Sequence, residues 1–275
     1  SALQTFATKL NVSRRRDQVK AESLSVHCLA TSTHRYFRMR FNPRGSLRSF
    51  ITSLIDFVYP PLCLSCKRLL EHGGDYVCPD CWNSIQVATK ESPLFVETAE
   101  KLAASGVVDG LISLYVFEKE GVFQVIVHNL KYAGVQALGL ELGRRLGKMV
   151  VERGIHADAI IPIPLHRRKL RERGYNQAEL IARGVSEVTD IPVRCDIVRR
   201  KKYTKTQTVL SLNERRENME NAFEVAPIKR TEARNKQFIV IDDVVTTGST
   251  MIACADVLRA SGAVGVIGAS AALAE

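Results

Sequence analysis

The chemistry of this chain concentrates first in Phe238-Ile239-Val240-Ile241-Asp242-Asp243-Val244-Val245-Thr246-Thr247-Gly248-Ser249-Thr250. The apolar run Phe238 to Ile241 reads as a strand buried on both faces, and it ends in two adjacent acids. Thr246, Thr247, Gly248, Ser249 and Thr250 then open a helical pattern from Met251 to Ala260. Hydroxyls and unpaired backbone N–H groups at a helix start attract an anion, and the helix dipole adds to that attraction. Carboxylates at the carboxyl end of a strand, where open α/β sheets place ligands, can accept hydrogen bonds from sugar hydroxyls. The combination suits a sugar phosphate. The plainer reading is a strand–turn–helix with two solvated acids. A Walker B strand also ends in acids, but it needs a Walker A loop. The nearest string, Gly143-Arg144-Arg145-Leu146-Gly147-Lys148-Met149, is one residue short and lacks the hydroxyl.

The second reactive cluster is Cys63-Leu64-Ser65-Cys66, eleven residues, then Cys78-Pro79-Asp80-Cys81. Two such pairs supply four thiolates for a tetrahedral Zn²⁺, and four thiolates leave no coordination position open for catalysis. The zinc is therefore expected to be a structural cross-link for a segment too small to build its own core. Two disulfides would use the same cysteines. With seven cysteines in all, one cluster and three scattered thiols point instead to a reducing, cytoplasmic setting. Tyr76 and Trp82 are expected to pack beside the metal.

Three stretches could supply positive charge to an anionic ligand. Lys131-Tyr132-Ala133-Gly134 follows a predicted helix, where it would also serve as an ordinary C-cap. Pro162-Ile163-Pro164-Leu165-His166 ends a predicted strand and runs into Arg167-Arg168-Lys169-Leu170-Arg171-Glu172-Arg173, closing on Gly174-Tyr175-Asn176-Gln177. Arg199 to Thr208, followed by Asn213, Arg215, Arg216 and Asn218, lacks apolar content and is expected to be a mobile lid; Lys205 and Arg215 are its candidate ligands. The last two stretches would equally suit solvated basic loops.

The elements that position these groups follow from periodicity. Strands are expected at Leu111–Phe117, Asp158–Leu165, Val193–Val198, Ala222–Val225, Gln237–Asp243 and Val264–Ile267, with Gly262–Ala274 read as a final, edge strand. Helices are expected at Leu47–Val58, Val122–Leu130, Gln136–Val151 and Asn176–Val188. Ser211-Leu212-Asn213-Glu214 has the form of a capping box for a helix to Asn221. Strands alternating with helices imply an α/β fold with a mainly parallel sheet covered on both faces.

The net charge of +10 does not make the folded part basic. Residues 1–48 hold ten Lys/Arg and two acids, which is +8 of that total. A nucleic-acid argument must therefore rest on local patches. These residues are expected to form a disordered basic tail, non-native or targeting in character. Residues 49–100 would then hold a helix and the cysteine module, and residues 101–275 the α/β domain. No apolar run is long enough to span a membrane.

Taken together, the strings resemble the competence protein F (ComF) family, a cysteine zinc module joined to a type I phosphoribosyltransferase domain. The strings that carry the resemblance are the two cysteine pairs, Leu130-Lys131-Tyr132-Ala133-Gly134, Pro164-Leu165-His166 with Arg173-Gly174-Tyr175-Asn176-Gln177-Ala178, Thr206-Gln207 through Ala222-Phe223, and 238–250. The resemblance covers residues 49–275. It implies that the ligand is phosphoribosyl pyrophosphate (PRPP), with Mg²⁺ bridging pyrophosphate and ribose oxygens. Asp242 and Asp243 would hold the ribose hydroxyls, and Thr246 to Thr250 the 5-phosphate. Lys131 and the turn after Ile161 would face the pyrophosphate, Tyr132 would also bind PRPP, and Lys205 and Arg215 would act from the lid. Two functions follow as expectations. One is transfer of phosphoribosyl to a base or amine with release of pyrophosphate. The other is a non-catalytic PRPP- or nucleic-acid-binding role in DNA uptake during natural transformation, beside single-stranded DNA and a helicase.

Overall fold

The computed structural model describes residues 60–70, 75–200 and 222–275. The tail, the Leu47–Val58 helix, Gly73-Gly74, and the lid residues 201–221 with their capping box lie outside the described residues. The described chain begins with the cysteine module and its short helix α1 (Pro79–Asn83), then α2 (Pro93–Ala104) leads into β1 (Gly110–Val116). Next come α3 (Val122–Tyr132), α4 (Ala137–Glu152), β2 (Ala159–Pro162), α5 (Arg167–Arg173) and α6 (Gln177–Thr189). After them stand β3 (Val198–Arg200), β4 (Phe223–Val225), α7 (Arg230–Ala233), β5 (Gln237–Val245), α8 (Ser249–Ala260) and β6 (Gly265–Leu273). Among the described residues, no helix is long and apolar enough to cross a membrane.

Four strands form one parallel sheet in the order β1-β6-β5-β2, while β3 and β4 make a separate antiparallel pair. Both faces of the sheet are covered. Along β5, Ile239 and Ile241 join the core that includes α3, α4 and α6, whereas Phe238 and Val240 join the core under α8. Alternate residues point to opposite faces, so a strand covered on both sides reads as a continuous apolar run. This is why Phe238–Ile241 is apolar throughout.

Two expectations are corrected. Gly262–Ala274 is not an edge: β6 lies between β1 and β5. Its small residues permit close packing, since a Cβ on Gly268 would stand 2.3 Å from Met251 Sδ of α8. The strand expected at Val193–Val198 is reduced to a single bridge from Val193 to Ile160, and β3 begins only at Val198. Between them Arg194 turns aside to pair with Asp196 at 2.9 Å and with Glu232 of α7. In addition, Arg167–Arg173, for which no helix was expected, folds as the short helix α5. His166 Nδ1 accepts from the Arg168 N–H at its start, and Gly174 adopts the left-handed conformation, φ 79°, at its end.

Helices α4 and α6 pack backbone to backbone. A Cβ on Gly143 would stand 2.1 Å from the Ile181 carbonyl oxygen and 2.7 Å from Gly184 Cα. Helix propensity alone favours Gly→Ala by about 1 kcal/mol. At this position the sign should reverse, with Gly143→Ala lowering stability by roughly 1–3 kcal/mol through overpacking. The urea unfolding midpoint is the measurement, and a variant as stable as the parent would contradict the packing argument.

Candidate functional site

The carboxyl ends of the parallel strands bring the candidate residues together. Asp242 and Asp243 are half-buried near the end of β5. Lys131, in the last turn of α3, places its ammonium 2.6 Å from Asp243 Oδ2. The contact is an ion pair rather than an aligned hydrogen bond, and Oδ2 has no hydrogen-bond partner among the described residues. The other oxygen, Asp243 Oδ1, accepts from the Val244 N–H at 2.9 Å, and Asp242 Oδ1 accepts from the Asp243 N–H at 2.9 Å. Burial, reinforced by the neighbouring Asp243 charge, raises the Asp242 pKa well above the carboxylate range. Behind it, burial also raises the pKa of the Cys254 thiol.

The hydroxyl-rich turn continues directly from these acids. Gly248 has φ 73° and stands at the start of α8, with no side chain capping the helix there. A Cβ on Gly248 would also meet Leu102 Cδ2 at 2.8 Å, so both backbone and space call for glycine. Thr246, Thr247 and Ser249 are exposed, Thr250 is half-exposed, and the Thr247 and Ser249 hydroxyls lie 2.9 Å apart. The turn thus presents hydroxyls beside an uncapped helix N-terminus, which is suited to an anion. Leu102 belongs to α2, a supporting element that sequence reasoning missed. Its signals were Pro93 at the helix start and the spacing of Phe95, Thr98 and Leu102.

The turn after β2 and the α3 C-terminus are tied to each other. The Tyr175 hydroxyl donates to the Leu130 carbonyl. Asn176 Nδ2 donates to the Ile163 carbonyl at 2.9 Å, and Asn176 Oδ1 accepts from the Ala178 N–H as the cap of α6. Arg173 donates to Gln177 Oε1 at 2.9 Å and lies 5.5 Å over the Tyr132 ring. Tyr132 itself is 68% exposed. The α5 surface is electropositive: burial first, then Arg200, Lys169, Arg171 and Arg168, lowers the His166 pKa. Lys205 and Arg215 lie outside the described residues. The fold therefore gathers Lys131, Asp242, Asp243 and the Thr246–Thr250 turn at the carboxyl end of the sheet, with Tyr132 against Arg173 of α5.

The four cysteines also meet. Their Sγ atoms all lie within 4.8 Å of one another, and those of Cys66 and Cys78 are 3.6 Å apart. Tetrahedral Zn–S bonds of about 2.3 Å put sulfurs roughly 3.8 Å apart, so the donor set fits zinc. The Cys78 N–H donates to Cys63 Sγ at 3.3 Å, and Arg68 Nε donates to Cys66 Sγ at 3.5 Å. Cys63, Cys78 and Cys81 are buried. The chain's one tryptophan, Trp82, packs on Tyr115 of β1 at 6.2 Å, and Arg145 of α4 lies 4.0 Å over its ring. Tyr76, expected beside the metal, is 39% exposed.

Two family models match parts of the chain. Residues 170–273 match the family model of the phosphoribosyl transferase domain, and residues 54–93 match that of the double zinc ribbon domain. The zinc ribbon match contains four cysteines, ligands for a single structural ion. By fold and site the chain is a type I phosphoribosyltransferase-like α/β protein with an N-terminal zinc module. Competence protein F of Haemophilus influenzae is 43% identical over 105 residues, 38% of this chain and 45% of that protein. The DNA utilization protein YhgH of Escherichia coli K12 is 29% identical over 150 residues, 51% of this chain and 63% of the relative. Competence protein ComFC of Bacillus subtilis is 23% identical over 197 residues, covering 69% of this chain and 74% of that one. The matches thus span about half of the first relative and less than two thirds of the second. Over these stretches the chain is similar to the competence and DNA utilization proteins.

Metal analysis of the purified chain should return about one equivalent of zinc. Cys81→Ser should lower that content and shift Trp82 emission to the red as the indole leaves Tyr115 and Arg145. Full zinc retention with unchanged emission would refute the coupling of metal to this packing.

Proposed function

We propose that the chain binds PRPP and transfers its phosphoribosyl group to a base or amine, releasing pyrophosphate. The observation that carries this reading is the convergence of the Lys131–Asp243 ion pair with the uncapped, hydroxyl-rich start of α8 at the carboxyl end of the sheet. Thr246, Thr247, Gly248, Ser249 and Thr250 hold the 5-phosphate, and Asp242 and Asp243 accept from the ribose hydroxyls. As pyrophosphate departs, C1 gains oxocarbenium character, so neutralising the leaving group is the main catalytic need. Lys131 serves that need, joined by Lys205 and Arg215. Mg²⁺, a hard cation preferring phosphate and hydroxyl oxygens, supplies further charge neutralisation when bound with PRPP. The acidic pair, with Asp243 Oδ2 lacking a hydrogen-bond partner, fits a ligand that arrives with a cation. The proposed organisation is a basic tail to residue 48, a zinc module at 49–100 and the transferase-like domain at 101–275, in the cytoplasm.

A second reading is favoured by the cation-rich α5 and by the relatives' names, competence protein and DNA utilization protein. Here the chain is a PRPP- or nucleic-acid-binding component of DNA uptake, acting beside single-stranded DNA and a helicase without turnover. Calorimetric titration of PRPP with and without Mg²⁺, followed by pyrophosphate release across bases and amines, separates the two. Binding with turnover supports the first. Binding without turnover, or steeply salt-dependent DNA binding, supports the second. Asp243→Asn should abolish PRPP binding while zinc content stays the same.

The acid pair also burdens the free protein. The folded state holds the Asp242 proton more tightly than the unfolded state, so stability falls as pH rises above the ordinary carboxylate pKa and through the raised one. Asp242→Asn removes that burden. It should raise the Tm of the ligand-free protein at neutral pH and above, with the gain shrinking on acidification. A lower Tm at neutral pH would contradict this assignment.

A further inference from the structure

Gln177, the first residue of α6, is 2% exposed, and its amide is only half used. Its Oε1 accepts from Arg173 Nη1 at 2.9 Å. A guanidinium carries only donors, so the oxygen is the atom that must face it, and Nε2 is turned away. Nε2 is buried and has no hydrogen-bond partner among the described residues. An apolar side chain would fill this position without the cost of a buried, unpaired donor. We infer that Gln177 is a positioning residue: it holds the Arg173 guanidinium towards the pyrophosphate of PRPP, where Arg173, with Lys169, neutralises the leaving group. The inference rests on the reading that the chain binds PRPP.

Three observations carry it. The first is charge. Lys131, which faces the pyrophosphate in that reading, already lies 2.6 Å from Asp243, and the pair offers little net charge to a departing group. A pyrophosphate leaving group calls for cations that no carboxylate has taken. Lys169 and Arg173 have no carboxylate partner among the described residues, whereas the neighbouring Glu172 is paired with Arg168 at 2.9 Å. The second is place. Lys169 and Arg173 line a cavity of about 610 Å³ together with Lys131 and Tyr132, so the free cations stand on the side where Lys131 stands.

The third is orientation. Arg173 is held at two points, by Gln177 and by the Tyr132 ring 5.5 Å beneath it. Tyr132 is 68% exposed, and a cation–π contact at such a site is a weak tether. The firm point is Gln177, because a buried side chain is confined to one rotamer by its neighbours. Asn176 fixes the same turn by donating to the Ile163 carbonyl at 2.9 Å, just after β2. A cation set in place before the ligand arrives loses little conformational freedom on binding. In the transfer, the C1–O bond breaks and its electron pair leaves with pyrophosphate. Arg173 and Lys169 stabilise that charge and give up no proton.

The test uses the full zinc-loaded chain with Mg²⁺. Calorimetric titrations of pyrophosphate, PRPP and ribose 5-phosphate are read beside the Tm of each variant. Arg173→Ala should weaken pyrophosphate and PRPP about tenfold, the loss of one charge-assisted contact, and ribose 5-phosphate by no more than about twofold. Gln177→Met, close in volume, should weaken pyrophosphate about fivefold while the Tm holds or rises, since the unpaired donor is gone. In the Arg173→Ala background, Gln177→Met should cost no further affinity, because a residue that acts through another has nothing left to act on. The inference is overturned if the parent chain does not bind pyrophosphate, or if Arg173→Ala leaves that binding unchanged. It is equally overturned if the two effects add, or if Gln177→Met lowers the Tm and weakens all three ligands alike, which marks a packing role. A parent chain that binds pyrophosphate but neither PRPP nor ribose 5-phosphate refutes the proposed function instead, while the Gln177–Arg173 coupling is still read on pyrophosphate.

Discussion

Two carboxylates side by side at the end of a strand buried on both faces create an electrostatic burden that the surrounding structure must meet. Adjacent like charges repel, and partial burial strengthens the repulsion. Lys131 relieves it from the end of α3, at 2.6 Å from Asp243. That position for Lys131 requires the end of α3 to be fixed. Tyr175 does this by donating to the Leu130 carbonyl, and Asn176 anchors the same segment to Ile163 after β2. The segment in turn starts α6, which lies against α4 with glycine facing glycine at Gly143 and Gly184. The site is therefore held by the helix layer as much as by the sheet.

The zinc module is coupled to this scaffold through shared packing. Its Trp82 stacks on Tyr115 of β1 under the guanidinium of Arg145 from α4, and its buried cysteines lie in the same hydrophobic cluster as Ile112, Leu142 and Ile239. The metal replaces the core that so short a segment cannot build, and the aromatic contact joins that local order to the main sheet. On the opposite face, α2 leaves the module and places Leu102 against Gly248, so an element next to the zinc module supports the anion turn.

Legibility in the sequence followed the range of the interaction. Local patterns transferred well. The unbroken apolar run of β5 marked a strand covered twice, the cysteine spacing marked a metal site, and the Thr/Gly/Ser turn marked a helix start. Patterns that depend on a distant neighbour did not. The small residues of β6 read as an edge because nothing local says that Met251 crosses Gly268. The 193–198 run read as a strand because its apolar pattern does not show Arg194 reaching Glu232, thirty-eight residues away. The basic run 167–173 did not read as a helix, although His166 and Gly174 at its ends already held the signals of a short one.

The sequence by itself determined the ingredients: a strand that ends in acids, an anion-binding helix start, four thiolates for one metal, and local runs of cations outside the tail. It could do so because each is a matter of residue type and short-range spacing. Only the tertiary structure decided which ingredients share one site. Lys131 meets Asp243 across more than a hundred residues, Arg173 comes over Tyr132, and Trp82 lies under Arg145. These meetings depend on the strand order β1-β6-β5-β2 and on the helix layer packed against it. Charge pairing and aromatic stacking act through space over a few ångströms, a separation that position along the chain does not record.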